Sequence, residues 1–67
     1  MKEYRCYFIN RRGGIGDMVA FVSADDIAAL AEGRAYFARQ SDYRGYEIWE
    51  RARLVHRDTA GKQSVPV

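Results

Sequence analysis

The stretch that decides the fold is Tyr46-Glu47-Ile48-Trp49-Glu50-Arg51-Ala52-Arg53-Leu54-Val55-His56-Arg57. Two short runs of aromatic and β-branched residues flank a polar tip, a pattern that predicts a β-hairpin. With residues 50–53 as the tip, Trp49 lies across from Leu54, and Ile48 lies across from Val55. Each face of the hairpin then carries one of these apolar pairs. Because both faces are apolar, we expect both to be covered in the folded protein.

Upstream of this hairpin, the sequence predicts a second hairpin and one helix. Residues 3–10 and 17–22 are dense in aromatic and β-branched types, which favours strands. Between them, the Arg-Arg-Gly-Gly segment at 11–14 predicts a turn, because paired glycines supply the positive φ angles that hairpins need. Residues 24–39 are rich in alanine and predict a helix, in which Gly33 is the position of lowest helix propensity.

The start and the buried face of this helix are predicted from its polar and apolar residues. Ser23 is expected to be the N-cap, with Asp25 and Asp26 in the first turn, where the helix dipole favours negative charge. Tyr36 is expected to point away from the sheet. Helical periodicity places the following residues on the arc expected to face the sheet: Ile27, Leu30, Ala31, Ala35, Phe37 and Ala38.

The order of these elements predicts an α+β fold. The expected architecture is a two-layer ββαββ sandwich, in which one helix covers one face of a four-stranded, mainly antiparallel sheet. Residues 1–58 are expected to form a single domain, and residues 59–67, which show no periodicity, a flexible C-terminal tail. The residues expected beneath the helix are Tyr4, Cys6, Phe8, Ile48 and Val55; a shift of one residue in the strand register would exchange this set for the residues of the other face.

Length and composition limit how such a fold can be stabilised. A chain of 67 residues buries only about 60% of its unfolded surface, so its core is small. A single cysteine, Cys6, allows no intramolecular disulfide, and a single histidine, His56, leaves a Cys/His zinc site short of ligands. We therefore expect no cofactor or metal, and stabilisation by a second copy of the chain.

The same composition bears on localisation. The chain has no apolar N-terminal run typical of a signal peptide and no stretch of roughly 20 apolar residues that could span a membrane. Together with the lone cysteine, these features predict a cytoplasmic protein.

Two patterns resemble chemical sites, and each has a simpler structural interpretation. Residues 13–16 resemble a phosphate loop, but Asp17 and Met18 follow where a Walker loop has Lys and Ser or Thr, so a hairpin turn is favoured. Cys6 and His56 are a nucleophile and a base without a third group or a flanking catalytic signature. The sequence therefore predicts that the protein is not an enzyme.

The C-terminal hairpin carries the pattern E-x-W-x-x-x-R-L-V, formed by Glu47, Trp49, Arg53, Leu54 and Val55. Together with the short aromatic strand near the N-terminus and the Ala-rich helix, this pattern resembles a group of very small uncharacterised bacterial proteins. The resemblance extends loosely over residues 3–57 and more closely over residues 46–57. Members of that group often have glycine in the hairpin tip, where this chain has Arg51. The resemblance implies the fold and no known activity.

The second sheet face predicts how the protein acts. A contiguous apolar face is expected to be covered by a second copy of the chain, in a closed contact between identical surfaces. We therefore predict a small non-enzymatic protein-interaction module that forms a homodimer, with an unknown protein partner also possible. The predicted interface residues are Tyr7, Ile9, Trp49 and Leu54.

The alternative prediction is a single-stranded nucleic-acid-binding protein. Arginines beside aromatic rings can neutralise a phosphate backbone while the rings stack on bases. The net charge of +2, from 11 basic and 9 acidic residues, gives this reading only modest electrostatic support. Its candidate residues are Arg44, Arg51, Arg53, Arg57 and Trp49.

Overall fold

The computed structural model describes residues 1–59, so nearly all of the tail expected at 59–67 lies outside the described residues. Within them the chain forms four strands and one helix in the predicted ββαββ order. The elements are β1 (Lys2–Asn10), β2 (Ile15–Ser23), α1 (Asp26–Ala38), β3 (Tyr43–Glu50) and β4 (Arg53–Asp58). The α+β prediction is therefore confirmed.

The four strands form one sheet in the order β2-β1-β3-β4. Every neighbouring pair is antiparallel. Because β2 and β3 are each antiparallel to β1, they are parallel to one another, and α1 connects them across β1. This crossover lays the helix over one face of the sheet, and it leaves β2 and β4 as the two edge strands.

The turn between β1 and β2 is organised by Asn10. Its side-chain Oδ1 accepts hydrogen bonds from the backbone N–H groups of Arg12 (2.9 Å) and Gly14 (3.0 Å). Its carbonyl oxygen accepts a third, from the N–H of Gly13 (2.9 Å). Gly13 has φ +92°, a conformation that residues with a side chain rarely adopt. The turn interpretation of residues 11–14 is confirmed.

The hairpin of β3 and β4 differs in register from the sequence prediction. Trp49 does lie across from Leu54, but Ile48 lies across from His56, so the predicted Ile48–Val55 pair is wrong. The register shifts by one residue because Val55 is an extra residue on β4, as in a β-bulge. Val55 nevertheless packs against the core, as expected.

The helix begins two residues later than predicted. The N-cap is Asp25, whose side chain accepts a hydrogen bond from the N–H of Ala28 at 2.9 Å. Ser23, predicted to be the cap, is instead the buried last residue of β2, and its hydroxyl lies 3.3 Å from Glu32 Oε2. Both residue types cap helices well, and the extension of β2 through Ser23 decides between them.

The helix also faces the sheet differently from the prediction. Ala29 and Gly33 are its buried residues, whereas Ile27, placed on the buried arc by periodicity, is 82% exposed. Tyr36, expected to point away, packs edge-on against Phe21 of β2 at 5.5 Å between ring centroids. The sheet is lined with aromatic rings, so the helix approaches it most closely through its smallest residues.

The core lies between α1 and the inner face of the sheet. Tyr4, Cys6, Phe8 and Ile48 are all buried there, which confirms four of the residues expected beneath the helix. Tyr46 joins them, and its ring lies 4.8 Å from that of Phe37 on the helix. The opposite face of the sheet is not covered by any element within residues 1–59.

Candidate interaction surface

The sheet face opposite α1, here named the open face, carries every second residue of each strand. Its side chains can be assigned from the cross-strand register, because residues paired across strands point to the same side. Four rows cross it, running from β2 towards β4: Ile15–Ile9–Gly45, Met18–Tyr7–Glu47–Arg57, Ala20–Arg5–Trp49–Leu54, and Val22–Glu3.

Large apolar side chains on the open face are exposed to solvent. The exposed fractions are 61% for Ile15, 54% for Val22, 42% for Met18 and 38% for Leu54. Leu54 was among the residues predicted for the interface. The other three belong to β2 and were not predicted. The alternation of Met18, Ala20 and Val22 in the sequence is the signal that could have identified the β2 contribution.

All four residues predicted for the interface lie on the open face. Tyr7 and Trp49 are half-buried, and Leu54 is exposed, so these three present apolar surface to solvent. Ile9 is only 7% exposed and contributes little accessible area. Tyr7 lies across from Met18, which links the predicted residues to the exposed side chains of β2.

Glu47, on the open face, is bonded to two neighbouring side chains. Glu47 Oε1 accepts a hydrogen bond from the indole Nε1 of Trp49 at 2.9 Å. Glu47 Oε2 accepts one from Arg57 Nε, also at 2.9 Å. One carboxylate therefore orients the tryptophan and neutralises the arginine. Trp49 and Arg57, two of the predicted nucleic-acid contacts, thus lie beside a negative charge that would repel a phosphate backbone.

Arg53 lies on the helix side of the sheet rather than on the open face. Its guanidinium donates to both carboxylate oxygens of Asp26, at 3.0 Å each, and to Glu50 Oε1. The Tyr4 hydroxyl donates to Asp26 Oδ1 at 2.9 Å. These contacts join the first turn of α1 to β1 and to the β3–β4 hairpin.

The electrostatics of this cluster follow from its geometry. The hydrogen bonds from Arg53, and then from Tyr4, lower the pKa of Asp26 from 3.8 to about 2. Burial, reinforced by the hydrogen bond to Asp26, raises the pKa of Tyr4 to about 12. The two carboxylates beside Arg53 raise the pKa of its guanidinium. Arg53 is thus committed to a structural ion pair, although both partners are partly exposed.

The remaining predicted arginines lie far apart. Arg44, near the start of β3, points a guanidinium nitrogen at the carbonyl oxygen of Arg11, 3.4 Å away. Arg51 lies in the β3–β4 turn, at the other end of the strand. Seven residues of extended chain separate them by about 23 Å. The structure therefore does not gather the predicted basic residues into one site.

A shallow depression lies beside Arg51 on the open face. It has a volume of about 330 Å³ and is lined mainly by β1 and β2. Arg5 and Arg51 both border it, and neither forms an ion pair within residues 1–59. Arg5 lies across from Trp49, so an unpaired guanidinium and an aromatic ring are neighbours here, a combination that sequence reasoning missed.

The patterns that resembled chemical sites are not assembled as such. Ile48 lies between Cys6 and His56 in their row of the sheet, so about 10 Å separates the two residues. Burial raises the pKa of the Cys6 thiol to about 11. The N–H groups of the glycine turn are bound by Asn10 rather than turned outward. No group of three or more potential metal ligands occurs within the described residues.

Comparison with family models, curated proteins and solved structures gave no match. Within residues 1–59, α1 is too short and insufficiently apolar to cross a membrane. The open face is therefore the feature on which a proposal of function rests.

Proposed function

We propose that this chain is a small non-enzymatic protein-interaction module of the cytoplasm that acts as a homodimer through its open face. One observation carries the proposal: the open face presents exposed apolar side chains of β2 and β4, with half-buried Tyr7 and Trp49 between them, and no element lies over it within residues 1–59. Monomeric proteins rarely leave patches of this kind in water. A second copy offers an identical apolar surface, and a two-fold axis would make the contact closed and self-limiting.

The size of the open face sets the expected strength of the dimer. Four strands about 4.8 Å apart and about 26 Å long present roughly 500 Å² in projection. Two such faces cover about 1,000 Å², close to the lower limit for specific interfaces. The Glu47–Arg57 pair adds no uncompensated charge to this area, whereas Arg5, which forms no ion pair within residues 1–59, adds one that weakens the contact. We therefore expect association at micromolar concentration and dissociation on dilution.

The test is the mass of the protein in solution, measured by light scattering over a concentration series. We expect twice the chain mass of 7.7 kDa at micromolar concentration. Trp49→Ala should weaken the dimer by about 2–4 kcal/mol, because a large interface side chain is lost and a cavity is left. The matched control is Ile27→Ala, which removes an exposed apolar side chain from the helix, away from the open face.

Fluorescence gives a second reading, because Trp49 is the only tryptophan. If it lies in the interface, its emission should shift to the red as the protein is diluted and the subunits separate. A mass that stays at 7.7 kDa at every concentration would contradict the proposal. So would an emission spectrum that does not change through a dissociation verified by mass.

Single-stranded nucleic acid is the second candidate partner. It is favoured by Arg5 and Arg51, which lack ion-pair partners within residues 1–59 and border the depression near Trp49. Binding through these groups should fall steeply with salt, because it releases counterions from the phosphates. Arg51→Ala should then weaken binding to a single-stranded oligonucleotide, whereas Arg12→Ala, in the distant β1–β2 turn, should not. The absence of binding at low salt would exclude this candidate.

A further inference from the structure

The edge strand β2 has fewer of the features that usually keep a sheet edge from pairing than β4 has, and its one β-bulge, at Gly16, lies before residues 17–23. Edges are commonly protected by charged side chains, by proline or by short strands. β2 has nine residues, no proline and a single charged residue, Asp17. The other edge, β4, has six residues, of which Arg53, Arg57 and Asp58 are charged. The β2 edge of this sheet is thus less protected than the β4 edge, above all over residues 18–23.

We propose that β2 pairs antiparallel with β2 of a second copy, so that two four-stranded sheets join into one continuous eight-stranded sheet. The two-fold axis of this contact is perpendicular to the sheet, and it places both helices on the same side. The contact uses backbone groups at the sheet edge, where the N–H of Met18 would exchange its hydrogen bond to Asp17 Oδ1 (2.8 Å) for one to the second copy. It is therefore separate from the dimer through the open face and does not depend on it.

The sequence of β2 is self-complementary about Ala20. Residues that pair across two strands point to the same face of the sheet. When a two-fold axis perpendicular to the sheet relates the strands, one residue must therefore lie directly across from its own copy, and the axis passes between the two. With the axis beside Ala20, two alanines meet at the centre, and Met18 lies across from the partner's Val22. Beneath the helix, Val19 lies across from the partner's Phe21. Apolar side chains thus meet apolar ones on both faces.

The neighbouring registers are less favourable, and Asp17 is the reason. Centring the pair on Val19 places this carboxylate across from the partner's Phe21. Centring it on Phe21 places the carboxylate across from the partner's Asp25, and like charges directly opposite are destabilising. With Ala20 at the centre, Asp17 lies across from the partner's Ser23, which is polar and uncharged. Charge and burial therefore select the same register.

The edge contact and the open-face contact are geometrically compatible. The axis of the edge contact is perpendicular to the sheet, whereas the axis of a face-to-face dimer lies parallel to it. Two perpendicular two-fold axes are what a D2 tetramer requires when they intersect. With both contacts formed, the expected mass is four times 7.7 kDa, and with only one it is twice 7.7 kDa.

The test is disulfide formation between copies of an Ala20→Cys variant. Opposed residues of an antiparallel pair have Cα atoms about 4.5–5.5 Å apart, within the range that a disulfide spans. Oxidised glutathione accepts the two electrons and is released as two thiols. The native thiol of Cys6 should not compete, because it is buried and its pKa is raised to about 11.

The matched control is Val22→Cys, an exposed position on the same strand and the same face. In the proposed register, the two Val22 positions are about 14 Å apart, too far for a disulfide. Ala20→Cys should therefore cross-link at least about tenfold faster than Val22→Cys, because only its thiols are held together at high effective concentration. Equal rates for the two variants would indicate random collision and would overturn the proposal.

A second variant separates the edge contact from the open-face dimer. Ala20→Cys combined with Trp49→Ala should cross-link as fast as Ala20→Cys alone, because Trp49 takes no part in the edge contact. Loss of cross-linking in the combined variant would show that the disulfide arose within the open-face dimer, and the edge proposal would be wrong. Slow cross-linking of Ala20→Cys in a protein that is dimeric by mass would overturn the edge contact alone and leave the open-face dimer standing.

Discussion

Gly33 allows the closest approach between helix and sheet, so Gly33→Ala is a direct test of this packing. Elsewhere in a helix, replacing glycine with alanine stabilises by about 1 kcal/mol. Here the new Cβ would overlap Ile48 Cδ1 and lie 3.0 Å from Ile48 Cγ1. The Ile48 side chain is fully buried, so it has little room to move away. Overfilling a packed core typically costs about 1–3 kcal/mol. We therefore expect a net loss of about 1 kcal/mol rather than a gain.

Two further variants isolate these opposing contributions. Ala31→Gly, at an exposed position of the same helix, should lower the free energy of unfolding by about 1 kcal/mol and so measures the propensity contribution alone. Ile48→Val removes the Cδ1 methyl and should cost about 0.5–1.5 kcal/mol by itself. Combined with Gly33→Ala it should cost less than the sum, because the new methyl fills part of the space that the old one leaves.

The assay is equilibrium unfolding in denaturant, at one fixed protein concentration because association alters apparent stability. The expected coupling between positions 33 and 48 is about 1 kcal/mol. Two results together would show that Gly33 is not packed tightly against Ile48: stabilisation by Gly33→Ala equal to the amount measured at Ala31, and additivity of Gly33→Ala and Ile48→Val within about 0.5 kcal/mol.

Two predictions concern the hairpin and its ion pair. Hydrogen bonds from Arg53 lower the pKa of Asp26 to about 2, so this carboxylate contributes stability that is fully present above its ordinary pKa of 3.8 and is lost as the pH falls through about 2. In thermal melts over that pH range, the melting temperature of the Asp26→Asn variant should fall less than that of the parent protein. An equal fall in the two proteins would contradict this role. Arg51 has φ +57°, so Arg51→Gly should stabilise the protein by about 0.5–1 kcal/mol in denaturant unfolding. Ala52→Gly is its control and should destabilise, since Ala52 has no positive φ; the reverse order of the two variants would show that the turn is not strained.

The strands, and the residues that share each face of a strand, could be predicted because the signal is local. Alternation in β1 places Tyr4, Cys6 and Phe8 on one face whatever the sheet contains, since successive side chains of a strand point to opposite sides. The same alternation placed Tyr7 and Trp49 on the open face. Of the exposed β2 residues, Ile15 lies outside the predicted strand at 17–22, whereas Met18 and Val22 lie within it and were missed because the pairing of β2 with β1 was not assigned from the sequence. A register shift between Phe8 and Ile9, where β1 pairs with β2, lies close to the start of β2.

The buried face of the helix could not be predicted, because it is set by packing against the sheet. Ile27 and Leu30 are equally apolar, yet only Leu30 packs against the core. Gly33 lies directly over Ile48 and Cys6, and Ala29 is the other buried residue of the helix, so the smallest residues make the closest approach. Helical periodicity identifies residues that share a face, but the shape of the sheet decides which face is buried.

The sequence by itself determined the number, order and type of the elements, the grouping of Tyr4, Cys6 and Phe8 on one face of β1, and the presence of apolar residues on both sheet faces. These properties depend on composition and short-range alternation, which do not change with the partner of a strand. The tertiary structure alone decided the strand order β2-β1-β3-β4, the ion pair between Arg53 and Asp26, and the exposure of β2 as the less protected edge. These features join residues distant in sequence, and their positions depend on how all the elements pack together.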